Sequence, residues 1–208
     1  MKRGSAGMLI PMGGMVMNRR ELPKWVADRL LAAMGLIVLA PVGVGAAMIC
    51  ARSGEGIFYA QERIGKDGKP FTVYKFRTMC KNTPVLPRAL LSSPQQYYIP
   101  GGAFLRSTGI DELPQLWCVV KGDMSLVGPR PLLKSEMAVH RLRRESGADA
   151  LRPGITGLAQ LCGDPPAKVK ATLDAIYLRE RGFLLDACIL LSTVRVVIKG
   201  RPKIVEKS

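Results

Sequence analysis

Residues 30–51 read LLAAMGLIVLAPVGVGAAMICA, 22 positions without a charge. A run of about 20 apolar residues has the length needed to cross a bilayer core. Pro41 sits in its middle, where it removes a backbone hydrogen bond and crowds the preceding turn, so the helix must kink or break there. Both flanks are basic: Arg19, Arg20, Lys24 and Arg29 come before, and Arg52, Arg63 and Lys66 after. Lys and Arg collect on the cytoplasmic side of membrane segments. Basic charge at both ends therefore predicts a segment that enters and leaves on one face, a re-entrant hairpin bent at Ala40-Pro41. A Pro-kinked spanning helix and a buried core helix are the competing readings. The run is too long and too far inside the chain for a cleaved leader.

The rest of the composition narrows the chemistry. The chain has 208 residues and a formal net charge of +15, which calls for an anionic partner: nucleic acid, an acidic lipid surface or a phosphorylated substrate. Five cysteines (50, 80, 118, 162 and 188) are odd in number and lack C-x-x-C spacing, so a disulfide framework and a zinc site are both disfavoured. They read as buried or half-buried small apolar residues in a reducing compartment. The single histidine, His140, lies in a charged run, His140-Arg141-Leu142-Arg143-Arg144, that reads as a solvated helix face. Any chemistry must rest on carboxylates and basic side chains, with or without a metal ion.

Downstream, Ile57–Ala60 and Phe71–Phe76 are short β-type runs, separated by the turn formers of Gly65–Pro70, and predict a β-hairpin. Residues 84–102 read as a loop with one short helix. Leu113–Val120, Leu132–Glu145 and Val169–Arg181 read as helices. Gly128-Pro129-Arg130-Pro131 and Arg152–Gly157 read as stiff, irregular loops. Phe183–Lys199 is a second apolar stretch, either an interfacial helix with its polar edge outward or an ordinary core helix.

The segment Arg106-Ser107-Thr108-Gly109-Ile110-Asp111-Glu112-Leu113-Pro114-Gln115-Leu116-Trp117 carries the most chemistry. Pro114 fits a helix only in its first turn, which places Asp111 and Glu112 at or just before a helix N-terminus. Free N–H groups and the helix dipole favour ionised carboxylates there. Such a pair can be plain capping, or it can attack an electrophile or hold a divalent cation. Arg106, Lys75, Arg77 and Arg130 supply the charge to hold a phosphate. Arg130, fixed between Pro129 and Pro131, is suited to a bidentate grip.

Several motifs in order make the chain resemble the monotopic phosphoglycosyl transferases, also called bacterial sugar transferases. They are the Pro-broken segment, Phe58–Gly65, Tyr74–Met79, Asp111–Trp117, Lys121–Pro131 and Arg152–Gln160. The resemblance covers about Lys24 to Gly200. It implies a re-entrant helix in the cytoplasmic leaflet of the bacterial inner membrane, and Asp111 as nucleophile toward the β-phosphate of a UDP-sugar. It also implies Glu112 as assistant, a magnesium ion held with Asp111 as a ligand, and phosphate contacts from Lys75, Arg77, Arg106, Pro129, Arg130, Pro131 and Arg152. The implied products are UMP, a covalent phosphosugar–aspartate and then a polyprenyl-diphospho-sugar, at the first membrane step of a glycoconjugate pathway. The expected partners are the UDP-sugar, polyprenyl phosphate and an anionic bilayer, without nucleic acid. The family includes homodimers.

The resulting fold class is α+β and mostly helical: a small catalytic domain with a β-hairpin, a Pro-broken re-entrant membrane helix and interfacial amphipathic helices. Residues 1–20 form a mobile N-terminal tail, 21–52 the re-entrant hairpin, 53–200 the catalytic domain on the cytoplasmic face and 201–208 a C-terminal tail. Three positions depart from the family pattern: Ala40 where Ser is usual, Cys118 where Asn is common, and Leu161-Cys162-Gly163-Asp164 where Val-Asn-Gly-Arg is common. An inactive membrane scaffold and a basic nucleic-acid-binding protein are the alternatives, and the intact Asp111-Glu112 pair and the uncharged run argue against them.

Overall fold

The computed structural model describes residues 21–84, 94–163 and 165–199; both predicted tails and Asp164 lie outside the described residues. The apolar run forms two helices, α1 (Glu21–Val38) and α2 (Ala40–Arg52). They meet at 63° across Leu39. Pro41 is the cause: it occupies the first turn of α2, where its missing N–H leaves no vacancy, and the i→i−4 ladder resumes with Gly43 N to Leu39 O at 2.9 Å. The predicted hinge thus falls one residue early, at Leu39. No single described helix is long and apolar enough to cross a membrane; the bent pair together matches such a span in length and composition.

The hairpin forms as predicted, with longer arms. Strand β1 (Phe58–Ile64) pairs antiparallel with β2 (Pro70–Phe76), with Tyr59 opposite Lys75 and Arg63 opposite Phe71. After a 3₁₀ turn at Pro94–Tyr97 come α3 (Gly102–Ser107), the 3₁₀ turn Ile110–Glu112 and α4 (Gln115–Lys121), which stops at left-handed Gly122.

The stretch Arg152–Gly157, read as an irregular loop, contains a strand, β4 (Gly154–Thr156), which pairs parallel with β3 (Ser125–Val127), just ahead of the Gly128–Pro131 loop. Their glycines are there for backbone approach: a Cβ on Gly154 would sit 2.1 Å from Gly128 N, and one on Gly128 would sit 2.4 Å from Arg152 O. The two Pro-flanked loops are therefore interlocked. Helix α5 (Met137–Ser146) starts later than predicted because Leu132 bridges to Ile64. Helices α6 (Leu158–Leu161), α7 (Ala167–Glu180) and α8 (Phe183–Lys199) complete the described chain.

The core is split. Ala32, Val73, Cys118, Val119 and Met124 join α1 to the hairpin and α4. Ala46, Cys50, Phe76, Ile99 and Leu105 join α2 to β2 and α3. Val127, Tyr177 and Ile189 join β3 to α7 and α8. Much apolar surface stays outside: Leu30, Met34, Ile37, Val38, Val44 and Met48 on the bent pair, and Phe183, Leu184 and Leu191 on α8, are all more than half exposed.

Several surface expectations reverse. Asp186 of α8 does not face outward; it turns in to Lys24 Nζ at 2.7 Å and accepts from Tyr177 OH at 2.6 Å, leaving an outer face that is apolar apart from the exposed Ser192 and Arg195. Arg29 donates to Lys121 O at 2.6 Å, so two of the flanking cations serve the interior. His140 is half-buried, 3.1 Å from Leu133 O, and Arg143 is buried, so the charged run is not simply a solvated face. All five cysteines are free, but Cys162 and Cys188 are exposed rather than packed.

Candidate active site

The acidic pair sits in the 3₁₀ turn Ile110–Glu112, ahead of α4. Gly109 adopts the left-handed conformation that starts this turn, and Pro114 caps α4 behind it. The turn is therefore a tight link between two short helices, and its side chains face β2 and the end of α2. Asp111 is only 6% exposed. Burial first, and then the charge of Glu112, push its carboxyl up from 3.8 to about 6, against the pull of Lys75 and Arg106. The helix start favours the ionised form, and burial opposes it. At neutral pH the ionised form still prevails by roughly tenfold.

Glu112 behaves in the opposite way. Burial raises its pKa, but Lys75, then Arg130 and Arg106, outweigh burial and hold it below the usual carboxylate range. Lys75 Nζ donates to Glu112 Oε1 directly. The register explains the contact: Phe71, Val73 and Lys75 share one face of β2, and while Val73 is in the core, Lys75 reaches past it to the dyad turn. The pair is thus split electrostatically, with one carboxylate fixed and ionised and the other held close to neutral pH.

The other predicted residues are placed as follows. Arg106, on α3 one turn before the dyad, points Nη1 at Met79 Sδ, 3.2 Å away, and its charge acts on both acids. Arg77 follows β2, donates to Phe58 O at 3.2 Å and stacks on Tyr59 at 5.6 Å; its buried Nε has no hydrogen-bond partner among the described residues. Cys50, at the end of α2, contacts Arg77 O at 3.2 Å and so ties the bent helix pair to this edge. Pro129 and Pro131 are buried, whereas Arg130 between them is half-exposed; its charge reaches Glu112. Arg152 is placed elsewhere. It donates Nε–H to Gly122 O at 3.1 Å and lies 5.9 Å from the Trp25 ring, at the junction of α1 and α4. Ala40 and Pro41 lie at the hinge.

One residue of the cluster was missing from the sequence expectation. Arg63 of β1 donates to Gln61 Oε1 at 2.6 Å and reaches Pro131 O at 3.4 Å. Burial and then the like charge of Arg130 hold it below an ordinary guanidinium. The available signal was its alternation with Gln61 and Tyr59 on the face that also carries Lys75.

A buried Asp111 beside a half-exposed Glu112, with Lys75, Arg106, Arg130 and Arg63 acting on the pair, is an arrangement suited to handling phosphate. The sequence matches the bacterial sugar transferase family over residues 19–200. It is also 38% identical over 171 residues to a protein of Bacillus subtilis (strain 168) named uncharacterized sugar transferase EpsL, covering 81% of each chain. It is 32% identical over 219 residues to the exopolysaccharide production protein ExoY of Rhizobium meliloti (strain 1021), covering 94% of this chain and 91% of that one. With the undecaprenyl-phosphate galactose phosphotransferase of Salmonella typhimurium (strain LT2) it shares 33% identity over 192 residues, 83% of this chain but only 40% of that protein. The chain belongs to the bacterial sugar transferase family and is an enzyme.

Proposed function

We propose that the chain transfers a phosphosugar from a UDP-sugar to a polyprenyl phosphate. The observation that carries this is the split pair: a buried Asp111 beside a Lys75-bound Glu112, within reach of several cations. The relative named as an undecaprenyl-phosphate galactose phosphotransferase supports the substrate class. In this reading Asp111 Oδ attacks the β-phosphorus, the P–O bond to the α-phosphate breaks, and UMP leaves. A phosphate oxygen of the lipid acceptor then attacks the same phosphorus, and the aspartate leaves as carboxylate.

Asp111 suits a nucleophile because its low exposure keeps the carboxylate poorly solvated. Glu112, held by Lys75, stays charged and positions a proton or a cation. Arg106 and Arg130 take the donor's phosphate oxygens. The donor set fits a divalent cation: adjacent hard oxygens, with the Asp111 carboxyl pKa raised by burial and then by the charge of Glu112. Among the described residues no group of three or more His, Cys, Asp or Glu could hold a metal, so water and substrate phosphates would complete the shell. Asp111 and Glu112 would thus hold a magnesium ion whose chemistry is to neutralise charge on the transferring phosphoryl group.

The apolar outer faces of α1, α2 and α8 support membrane attachment. A pair bent by 63°, with Lys24 and Arg29 tied into the protein, fits a helix that enters and returns on the cytoplasmic face. Such an anchor would bring the dyad to a lipid acceptor that stays in the bilayer.

The test is UMP release by purified protein in detergent, with magnesium, a polyprenyl phosphate and a panel of UDP-sugars. Magnesium-dependent release by wild type, lost in Asp111→Asn, supports the proposal. No release with any donor from folded protein overturns it.

A further inference from the structure

The charge of Arg130 acts on Glu112 and Arg63, but what fixes its backbone lies outside the site. Its carbonyl accepts from Arg143 Nη1 of α5 at 2.9 Å. Arg143 is 6% exposed and is itself gripped by Asp174 of α7, whose Oδ2 lies 2.7 Å from both Nε and Nη2. Asp174 is 2% exposed. One turn earlier on α7, Lys170 contacts Glu136 Oε1 at 3.2 Å, and the other oxygen of Glu136 accepts from Leu133 N at 2.8 Å. The loop after β3 is thus tethered at the carbonyl of Arg130 and the amide of Leu133. Both tethers lead to a single face of α7, where Lys170 and Asp174 are spaced i, i+4.

A buried charge pair is costly to assemble and weak evidence for stability in itself. A well-packed apolar pair would fill the same space at no desolvation cost. What the apolar pair cannot do is donate to a carbonyl flanked by two prolines, a backbone whose Pro positions offer no N–H of their own. Arg143 supplies that donor, and Asp174 fixes its orientation by accepting from Nε, with Nη2 in charge contact with the same oxygen. Arg143 touches no atom of the acidic pair in any described contact.

We infer that the Arg143–Asp174 pair is a positioning device that sets Arg130 for the donor phosphate, so that α7 governs catalysis without entering the site. This rests on the phosphosugar-transfer reading above. The test is a double-mutant cycle on UMP release, using Arg143→Lys, Arg130→Ala and the double variant, with hydrogen exchange on the 128–134 segment as a readout that needs no activity. Arg143→Lys keeps the charge against Asp174 but cannot span both contacts. It is expected to lower kcat/KM about tenfold in the wild-type background and less than about twofold when Arg130 is already absent, because contacting residues couple. Exchange in 128–134 should accelerate while segments in α1 and β2 stay unchanged. Losses that simply multiply, or unchanged exchange in that segment, overturn the inference. An inactive wild type defeats the reaction proposal instead, and the exchange arm still decides the tether. Should Arg143→Lys not fold, Asp174→Glu, which keeps the charge facing Arg143 but shifts its oxygens, carries both measurements.

Discussion

Asp111 and Asp174 are both almost wholly buried, and in both burial is the largest influence, raising the carboxyl pKa. They differ in what they meet. Asp174 is gripped by two nitrogens of Arg143 and has no access to solvent. Asp111 is met by its own backbone N–H, while Lys75 holds its neighbour instead. The first arrangement makes a rigid tether and the second leaves an anion ready to react. Stability and reactivity are thus divided between two acids of the same type on opposite sides of the Arg130 loop.

The same substitution should therefore have opposite effects at the two sites. Asp174→Asn leaves Arg143 buried and uncompensated, and should cost about 3–5 kcal/mol by denaturant titration at neutral pH. Asp111→Asn removes a charge that the fold disfavours. A native pKa raised from 3.8 to about 6 corresponds to a destabilisation of about 3 kcal/mol at pH 7. The sign follows from linkage: a raised acid loses stability as pH climbs from the unfolded value to the folded one. The Asn variant should therefore gain up to that amount above pH 6 and nothing below pH 3.8. Chelator must be present, since a bound cation would offset the penalty. A destabilised Asp111→Asn at pH 7 would break the comparison, because it would make Asp111 a structural acid like Asp174.

Activity should sharpen the contrast further. If ionised Asp111 attacks phosphorus, UMP release should fall with an acid limb near pH 6, measured as kcat/KM against pH. A limb near pH 4 would instead point to an ordinary, solvated carboxylate. At the small end, the exposed Arg141–Glu145 pair, 2.9 Å apart, serves as control. Glu145→Ala should change stability by less than about 0.5 kcal/mol.

The reactive side of this comparison was legible in the sequence, and the tethering side was not. Pro114 placed the dyad next to a helix start, two β-type runs around the turn formers of Gly65–Pro70 gave the hairpin, and Pro41 gave the hinge to within a residue or two. Arg143 and Asp174 gave no signal. An Arg within a run of charges reads as solvated, and only the distant partner 31 positions on reveals it as buried. The β3–β4 pair escaped for a similar reason: three-residue strands beside Gly and Pro carry too few side chains for a period of two to show. Its cause is backbone contact between Gly128 and Gly154, which is invisible until both loops are placed. Burial also overruled the local expectation at Asp111, since a helix start alone would have kept its pKa low.

The central claim is that Asp111 becomes covalently loaded. Its most direct test is intact-protein and peptide mass spectrometry after brief mixing of the enzyme with magnesium and a UDP-sugar that supports UMP release, without lipid acceptor. The account predicts a gain of one phosphosugar on Asp111, absent in Asp111→Asn and discharged when polyprenyl phosphate is added. Acceptor-dependent UMP release with unmodified protein at every time point, or an equal gain in Asp111→Asn, would contradict it.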